Sequence, residues 1–304
     1  MSEAITEIHE NETSAPEAGD HAVTEEHAAE QAHESQGESS HAHTLYSEPL
    51  FSVGGLTVTN SLLTSWIALF VILVIGVAFR SRLAAVPRTL QNIIEMAMEK
   101  FLEIFDLVTG SREKSIKFAP FVMAFFFLIL INNWLGLIPG VGSIGSMMME
   151  GGHATFVPYL RGGTADLNTT LALASIAVVA SHIMGVFAVG GWNYLNKFIN
   201  IKAFLEIPKK IMKEPTIILV NPIKAFVGIV EIIGEAAKVA SLSFRLFGNI
   251  FAGEVLLASM SAILAFAIPI PFMFLEIIVG LIQALIFAIL VLIYVSISTT
   301  AEEH

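Results

Sequence analysis

The sequence contains no cysteine, and charged residues are scarce. Asp, Glu, Lys and Arg together make up 14% of the 304 residues. Without cysteine the chain can form no disulfide framework, no thiolate metal site and no cysteine nucleophile. Hydrophobic residues make up 55% of the chain, and its mean hydropathy is +0.73. This composition is too apolar for an ordinary soluble domain and indicates a membrane protein.

Residues 1–47 differ from the rest because they contain almost no large apolar side chains. They are rich in Glu, His, Ala and Ser and carry much of the net charge of -11. We predict an acidic, His-rich tail that is disordered or loosely helical, since it has little apolar surface to bury. It lacks the basic start and apolar core of a secretory signal, and nucleic acid is not expected as a partner because the tail has no basic patch. Its histidines could bind metal weakly, but a solvated tail is the favoured interpretation, and we expect no cofactor.

Residues 48–304 are predicted to form a membrane domain of the all-α class. A spanning helix needs about 20 mostly apolar residues. Five stretches meet this requirement, near 60–80, 118–139, 168–189, 216–262 and 270–298. The fourth is much longer than one bilayer crossing, so we expect it to form a long tilted hairpin with the fifth. A boundary at Asn221-Pro222 is an alternative, because the residue before proline avoids helical geometry.

Lysine and arginine are concentrated in two of the connecting loops. They are frequent from Arg80 to Lys117 and from Lys197 to Lys224, whereas the loop between the second and third stretches carries Arg161 alone. The positive-inside rule then predicts an external N-terminus and a cytoplasmic C-terminus. The basic loops also contain two amphipathic segments, 90–108 and 194–207. Each is predicted to be a helix, lying either on the membrane surface or against a partner protein.

The fourth stretch carries a stripe of polar residues at steps of mostly three or four. The stripe comprises Glu231, Glu235, Lys238, Ser241, Arg245, Asn249 and Glu254. Steps of this size keep side chains on one face of a helix. An arginine at the centre of a spanning helix costs roughly 3 kcal/mol, so its presence needs a reason. In the fifth stretch Glu276 and Gln283 share a face, and a hairpin would bring Gln283 to the level of Arg245 and Glu276 to that of Glu254.

The stripe has a structural and a functional interpretation. A single buried arginine can pair with a glutamate to hold two helices together. Seven polar groups with two more opposite them favour an ion path, since ionisable residues at membrane depth usually mark one. His182, in the third stretch, is more readily explained as a helix-packing histidine than as a proton relay.

The segment "SLSFRLFGNIFAGE", from Ser241 to Glu254, resembles subunit a of the F-type ATP synthase. Further resemblance lies in "ADLNTTLALA" (165–174), "NNWLGLIPG" (132–140), "LIQALIF" (281–287) and the final "EEH". It extends over about residues 60–304. The tail and most of the 140–167 loop carry little of it.

The resemblance implies the proton-translocating stator subunit of the F0 sector, which is not an enzyme by itself. Arg245 would be the essential arginine facing the membrane carboxylates of a c-subunit ring, and two aqueous half-channels would couple proton flow to rotor rotation and ATP synthesis. The other site residues would be Glu254 and Glu276 in the outer half-channel, Glu231, Lys238 and Ser241 in the cytoplasmic one, and Asn249 and Gln283 beside the arginine. The implied partners are the c-ring, the b-subunit peripheral stalk and the lipid bilayer, and the implied location is the bacterial plasma (inner) membrane.

This chain departs from the family pattern at two positions. Some relatives have a histidine where it has Glu276, and an acid where it has Gly136. The outer half-channel is therefore expected to be lined differently, with Glu254 and Glu276 sharing one zone. Two nearby carboxylates do not both ionise cheaply, so one is expected to hold a proton.

Two other functions remain open from the sequence. A self-contained channel or secondary transporter would need a site closed within one chain, and Arg245 has no acid at its own level. A scaffold without transport would leave the stripe unexplained. The residues also leave open whether the coupling ion is a proton or Na⁺.

Overall fold

The computed structural model describes residues 47–81, 89–150, 153–194, 217–264 and 267–300. Six long helices occur in these ranges: α1 Asn60–Arg80, α2 Thr89–Thr109, α3 Arg112–Gly136, α4 Leu167–Val189, α5 Ile217–Ile263 and α6 Pro269–Thr299. The strands are β1 Pro49–Val53, β2 Leu56–Thr59, β3 Pro139–Gly142, β4 Gly145–Glu150 and β5 His153–Pro158. The predicted tail lies outside the described residues except for Ser47.

Five of these helices, α1, α3, α4, α5 and α6, are long and apolar enough to cross a membrane. They correspond to the five predicted stretches, and the all-α membrane class is confirmed. The largest difference is in α3, which begins at Arg112 and ends at Gly136. Pro120 lies inside this helix, and its first turn is charged. A membrane helix tolerates a proline because neighbouring helices and side chains can hydrogen-bond the backbone carbonyl that the proline leaves without a donor.

Helix α5 is continuous over 47 residues. At 1.5 Å per residue it is about 70 Å long, more than twice the roughly 30 Å of a bilayer core, so it must tilt strongly within a membrane. The alternative boundary at Asn221-Pro222 is wrong, since the helix begins at Ile217 and continues through the proline. Helix α6 returns beside α5 and begins with Pro269 at its first position, where the missing N–H costs nothing.

Helix α6 is the centre of the packed core. Its buried side chains recur every four residues in the row Gln283, Phe287, Val291 and Val295. Helices α3 and α4 pack against α6, with Ile129 and Ala174 both fully buried. Buried polar side chains, including the two adjacent asparagines of α3, add hydrogen bonds between helices. Asn133 Nδ2 donates to the carbonyl of Gly280 at 3.1 Å, and Ser65 Oγ donates to Asn132 Oδ1 at 3.1 Å.

Two short antiparallel hairpins lie outside the helices, and the sequence interpretation did not anticipate them. Strands β1 and β2 pair immediately before α1, and they are connected by Gly54 and Gly55, which have positive φ. Strands β4 and β5 pair between α3 and α4, in the 140–167 segment that was interpreted as a loop. A 3₁₀ turn, Gly163–Ala165, then leads into α4.

The amphipathic segment 90–108 forms helix α2, as predicted. One face packs on the chain itself, because Phe105 is fully buried and the Phe101 ring lies 4.8 Å from that of Phe126. Another face leaves Met96 and Leu107 exposed. The second predicted surface helix, 194–207, lies outside the described residues except for Tyr194.

Candidate functional site

The Arg245 side chain lies on a part of the α5 surface that the rest of the described chain leaves exposed. Leu242 and Leu246, three residues before it and one after it, are buried against the core and fix the orientation of the helix. Arg245 and its neighbour Phe244 are exposed. Within the described ranges, Arg245 forms no hydrogen bond or ion pair, and it lies close enough to Tyr294 of α6 for an electrostatic interaction. The guanidinium therefore has no carboxylate partner among the residues that the structure describes.

Asn249 lies one turn after Arg245 and links α5 to α6. Its Nδ2 donates to Gln283 Oε1 at 2.7 Å. Gln283 is 2% exposed, so the amide pair connects the core to the exposed face of α5. This contact agrees with the alignment expected of an α5–α6 hairpin.

Glu254 is paired with an arginine that the sequence interpretation did not assign to the site. Arg161 Nη2 lies 2.9 Å from Glu254 Oε2, and Arg161 Nε is 3.2 Å from each carboxylate oxygen. The Arg161 side chain is 7% exposed and that of Glu254 is 27% exposed. A forked, charge-assisted contact of this kind fixes both groups. The sequence feature that could have identified Arg161 is that it is the lone Lys or Arg of the 140–167 segment.

The segment that carries Arg161 is held in place by buried polar contacts. The backbone N–H of Arg161 donates to Thr64 Oγ1 of α1 at 3.3 Å. Asp166 caps α4 by accepting from the backbone N–H of Asn168 and Thr169, and it also accepts from Ser61 Oγ of α1 at 3.2 Å. Helices α1 and α4 thus position Arg161 against α5.

Glu276 of α6 is buried and lies directly against Gly253 of α5. A Cβ atom at Gly253 would collide with the Glu276 carboxyl group. The absent side chain therefore makes room for a carboxyl group one position before Glu254. This contact agrees with the expected placement of Glu276 at the level of Glu254. The sequence interpretation placed two carboxylates in this zone, and the structure adds the positive charge of Arg161.

The N-terminal part of the stripe forms a second charged cluster. Lys238 Nζ donates to Glu235 Oε1 at 2.7 Å, and His182 Nε2 of α4 lies 3.2 Å from Glu235 Oε2. Lys238 Nζ also lies 5.1 Å above the Tyr294 ring. Glu231, one turn earlier, is half-buried and has its own interaction partners.

The stripe therefore consists of two clusters with an exposed cation between them. Glu235 lies ten residues before Arg245 and Glu254 nine residues after it, about 15 Å and 13 Å along the helix. Ser241 is exposed one turn before Arg245. Groups that can exchange protons thus lie on both sides of a group that stays charged at any cellular pH.

A family model described as "ATP synthase A chain" matches residues 62–296, which include most of all five candidate spans and both clusters. The chain belongs to this family. Similar proteins include "ATP synthase subunit a" of Geobacter sp. (strain M21), 30% identical over 78% of this chain and 86% of the relative. The subunit a of Syntrophobacter fumaroxidans is 30% identical over 83% and 89%, respectively. The chloroplastic subunit a of Stigeoclonium helveticum is 29% identical over 80% and 85%. The similar proteins thus include one from a chloroplast. The residues matched by the family model include Arg245, Glu254 and Glu276.

Proposed function

We propose that the chain is the proton-translocating stator subunit of an F-type ATP synthase, with Arg245 facing a ring of c subunits. The observation that carries this proposal is the exposed guanidinium on α5, which has no carboxylate partner among the described residues and lies between two charged clusters. Family membership supports the same role. The subunit would act within the complex, beside the c-ring and the b-subunit peripheral stalk, and would not be an enzyme alone.

The two clusters would line separate half-channels. Glu254, Glu276 and Arg161 would serve the outer one, and Glu231, Lys238 and Ser241 the cytoplasmic one. A proton entering from outside would pass to a ring carboxylate near Glu254, travel round with the ring and leave through the cytoplasmic cluster. The distribution of Lys and Arg supports an external N-terminus and a cytoplasmic C-terminus, in the bacterial plasma membrane.

Arg245 would separate the two half-channels. A guanidinium cannot itself hand on protons, because it does not deprotonate in proteins. It favours the ionised form of a carboxylate that approaches it, so a ring carboxylate arriving here would release its proton. Its positive charge would also oppose a proton crossing directly between the half-channels. A direct crossing would dissipate about 2.3 kcal/mol per charge for each 100 mV of membrane potential.

The test uses the complete complex with an Arg245→Ala subunit, reconstituted in vesicles in sodium-free buffer. We expect ATP-driven acidification to fall to background, because ring carboxylates would no longer be discharged, and passive proton leak to rise. Arg112→Ala is the matched control, since Arg112 pairs with Asp106 at 2.9 Å outside the stripe. Wild-type pumping by the Arg245→Ala complex would refute the proposed role. Sodium-free acidification by the wild-type complex would support protons as the coupling ion.

A further inference from the structure

His182 of α4 has a partner for each of its ring nitrogens. Nε2 lies 3.2 Å from Glu235 Oε2, and Nδ1 lies 2.6 Å from the Tyr194 hydroxyl. The His182 side chain is 25% exposed, whereas Tyr194 is 6% exposed. The ring therefore joins a buried tyrosine to the charged cluster of α5 while remaining partly accessible.

These two partners can satisfy both protonation states of the ring. In the neutral state, Nε2–H donates to the Glu235 carboxylate and Nδ1 accepts from the Tyr194 hydroxyl. In the protonated state, Nδ1–H donates to the Tyr194 oxygen, because a hydroxyl can rotate and act as donor or acceptor. A backbone carbonyl at Nδ1 would accept a hydrogen bond from the protonated ring, but it would face the Nδ1 lone pair of the neutral ring without donating to it. The contacts of His182 thus permit a change of charge without an unpaired group.

The neighbouring charges assign the proton-exchanging role to the imidazole. Lys238 Nζ lies 2.7 Å from Glu235 Oε1, so the ammonium group is a counter-ion for that carboxylate. An ionised Glu235 is in turn a counter-ion for imidazolium. Histidine is the side chain that ordinarily changes charge between pH 5 and 8. Within this cluster, His182 is therefore the group suited to accept and release protons.

We propose, on the basis of the proposed function, that His182 is a proton-transfer residue of the cytoplasmic path, with Glu235 and Tyr194 as positioning residues. In the ATP-driven direction, a proton from the cytoplasmic side binds to Nδ1 and the Tyr194 hydroxyl turns from donor to acceptor. The imidazolium then gives up the proton on Nε2, the nitrogen that faces the stripe, and this proton moves towards a ring carboxylate. One N–H bond forms at Nδ1 and one breaks at Nε2, so the ring returns to a neutral state.

The proposal depends on the charged and titratable groups around the imidazole. Among the described residues these are Glu235 and Lys238 on α5, with Glu231 one turn away, Tyr194 after α4, and Tyr294 of α6 beneath the ammonium of Lys238. Arg245 acts electrostatically on Tyr294, which links this cluster to the centre of the site.

The test measures ATP-driven pumping by complete complexes in vesicles whose cytoplasmic side faces the medium. The pH of the medium is varied from about 5.5 to 8.5, a range that includes the usual histidine pKa. His182→Gln retains an amide that can reach Glu235 and Tyr194 but cannot take up protons. We expect the wild-type rate to decline as the pH rises, and we expect His182→Gln to lose this decline and to pump about tenfold more slowly at pH 6, a modest effect for a positioned acid–base group. Ser181→Ala is the control, because Ser181 Oγ bonds to the Val178 carbonyl of its own helix.

Two results would overturn the proposal. One is a His182→Gln profile that coincides with the wild-type profile. The other is a rate reduced by the same factor at every pH, which indicates a packing role. Tyr194→Phe is the second variant, and we expect it to change the pH at which the rate declines, because the imidazole loses the Nδ1 partner that serves both of its charge states. An unchanged pH profile of Tyr194→Phe would also count against the proposal. If the His182→Gln complex fails to assemble, the Tyr194→Phe profile alone tests the role of His182. Arg245→Ala, measured in parallel, separates the two claims, since normal pumping there refutes the proposed function itself.

Discussion

Arg161 and Arg245 are two arginines of the same membrane domain in opposite situations. Arg161 is nearly buried and forked onto Glu254, whereas Arg245 is exposed and lacks a carboxylate partner among the described residues. A buried arginine must be paired, because an isolated charge in a low-dielectric region is very costly. An arginine on an outer face can instead receive its partner from another subunit. The contrast at the residue scale supports Arg161 as a fixed component and Arg245 as a group that meets a moving one.

The Arg161–Glu254 pair predicts non-additive effects of substitution. Removing one member of a buried pair costs about 3–5 kcal/mol when the other stays charged, and somewhat less here because Glu254 is partly exposed. We expect Arg161→Gln and Glu254→Gln each to lower the temperature at which the subunit leaves the purified complex. The double variant should be no less stable than the worse single variant. The measurement is thermal dissociation of the solubilised complex followed by subunit release.

The matched control for this cycle is the Lys100–Glu103 pair of α2. These side chains are 69% and 53% exposed and lie 2.7 Å apart. Exposed pairs contribute little, so Lys100→Gln and Glu103→Gln should leave the dissociation temperature almost unchanged. Strictly additive losses for Arg161 and Glu254 would contradict the pairing.

The sequence identified the polar residues of α5 but not all of their partners. Regular spacing places side chains on a common helix face, and Arg245, Asn249 and Glu254 were found in this way. The partners Arg161 and His182 come from other segments, and which of them meets α5 depends on tertiary packing. The contact between Asn249 and Gln283 was predictable because a hairpin fixes the alignment of its two helices.

At the scale of elements, the α5–α6 hairpin depends on a close approach at Gly253. The Glu276 carboxyl group occupies the space that a side chain at this position would fill. The close approach places a carboxyl group of α6 beside the part of α5 that carries Glu254. The position of Glu276 beside Glu254 thus depends on one small residue.

Gly253→Ala is therefore expected to be harmful despite the better helix propensity of alanine. Alanine is favoured over glycine by about 1 kcal/mol within a helix, but here its methyl group would displace the Glu276 carboxyl. We expect a lower rate of ATP-driven pumping, with little change in the dissociation temperature of the subunit, because the displaced group is the flexible end of the Glu276 side chain. Gly234→Ala is the control, because a Cβ there would meet nothing within 4 Å. Equal effects of the two substitutions would show that the contact with Glu276 is unimportant.

The long helices were predicted from the sequence, whereas the short strands were not. About 20 apolar residues in succession have few alternatives to a membrane helix, so the observed spans agree closely with the expected ones. The β4–β5 hairpin begins with "GSMMME", which lacks strict alternation, and the sequence interpretation overlooked the Gly151-Gly152 pair that follows it, a signal for a hairpin turn. The alternative boundary at Asn221-Pro222 was wrong because a membrane helix can tolerate a proline that would end a shorter helix.

At the scale of the whole molecule, the described chain leaves two kinds of surface uncovered. Helix α1 exposes apolar side chains such as Phe70 and Leu73, which suits lipid or an apolar partner. Helix α5 exposes Arg245 and Ser241 among apolar neighbours, which lipid alone would satisfy poorly. The polar face of α5 is therefore the part of the molecule that most requires a partner subunit.

The most direct test of this account asks which face of α5 meets the c-ring in the assembled complex. Ser241→Cys and Ser243→Cys make the same chemical change two residues apart, and the native chain has no cysteine to interfere. Ser241 is exposed on the Arg245 side, whereas Ser243 is 1% exposed and bonds to Thr170 of α4. With single cysteines introduced into the ring subunit near its membrane carboxylate, we expect oxidative cross-linking from position 241 and none from position 243. Cross-linking from 243 but not from 241 would contradict the account, because the guanidinium would then face away from the ring.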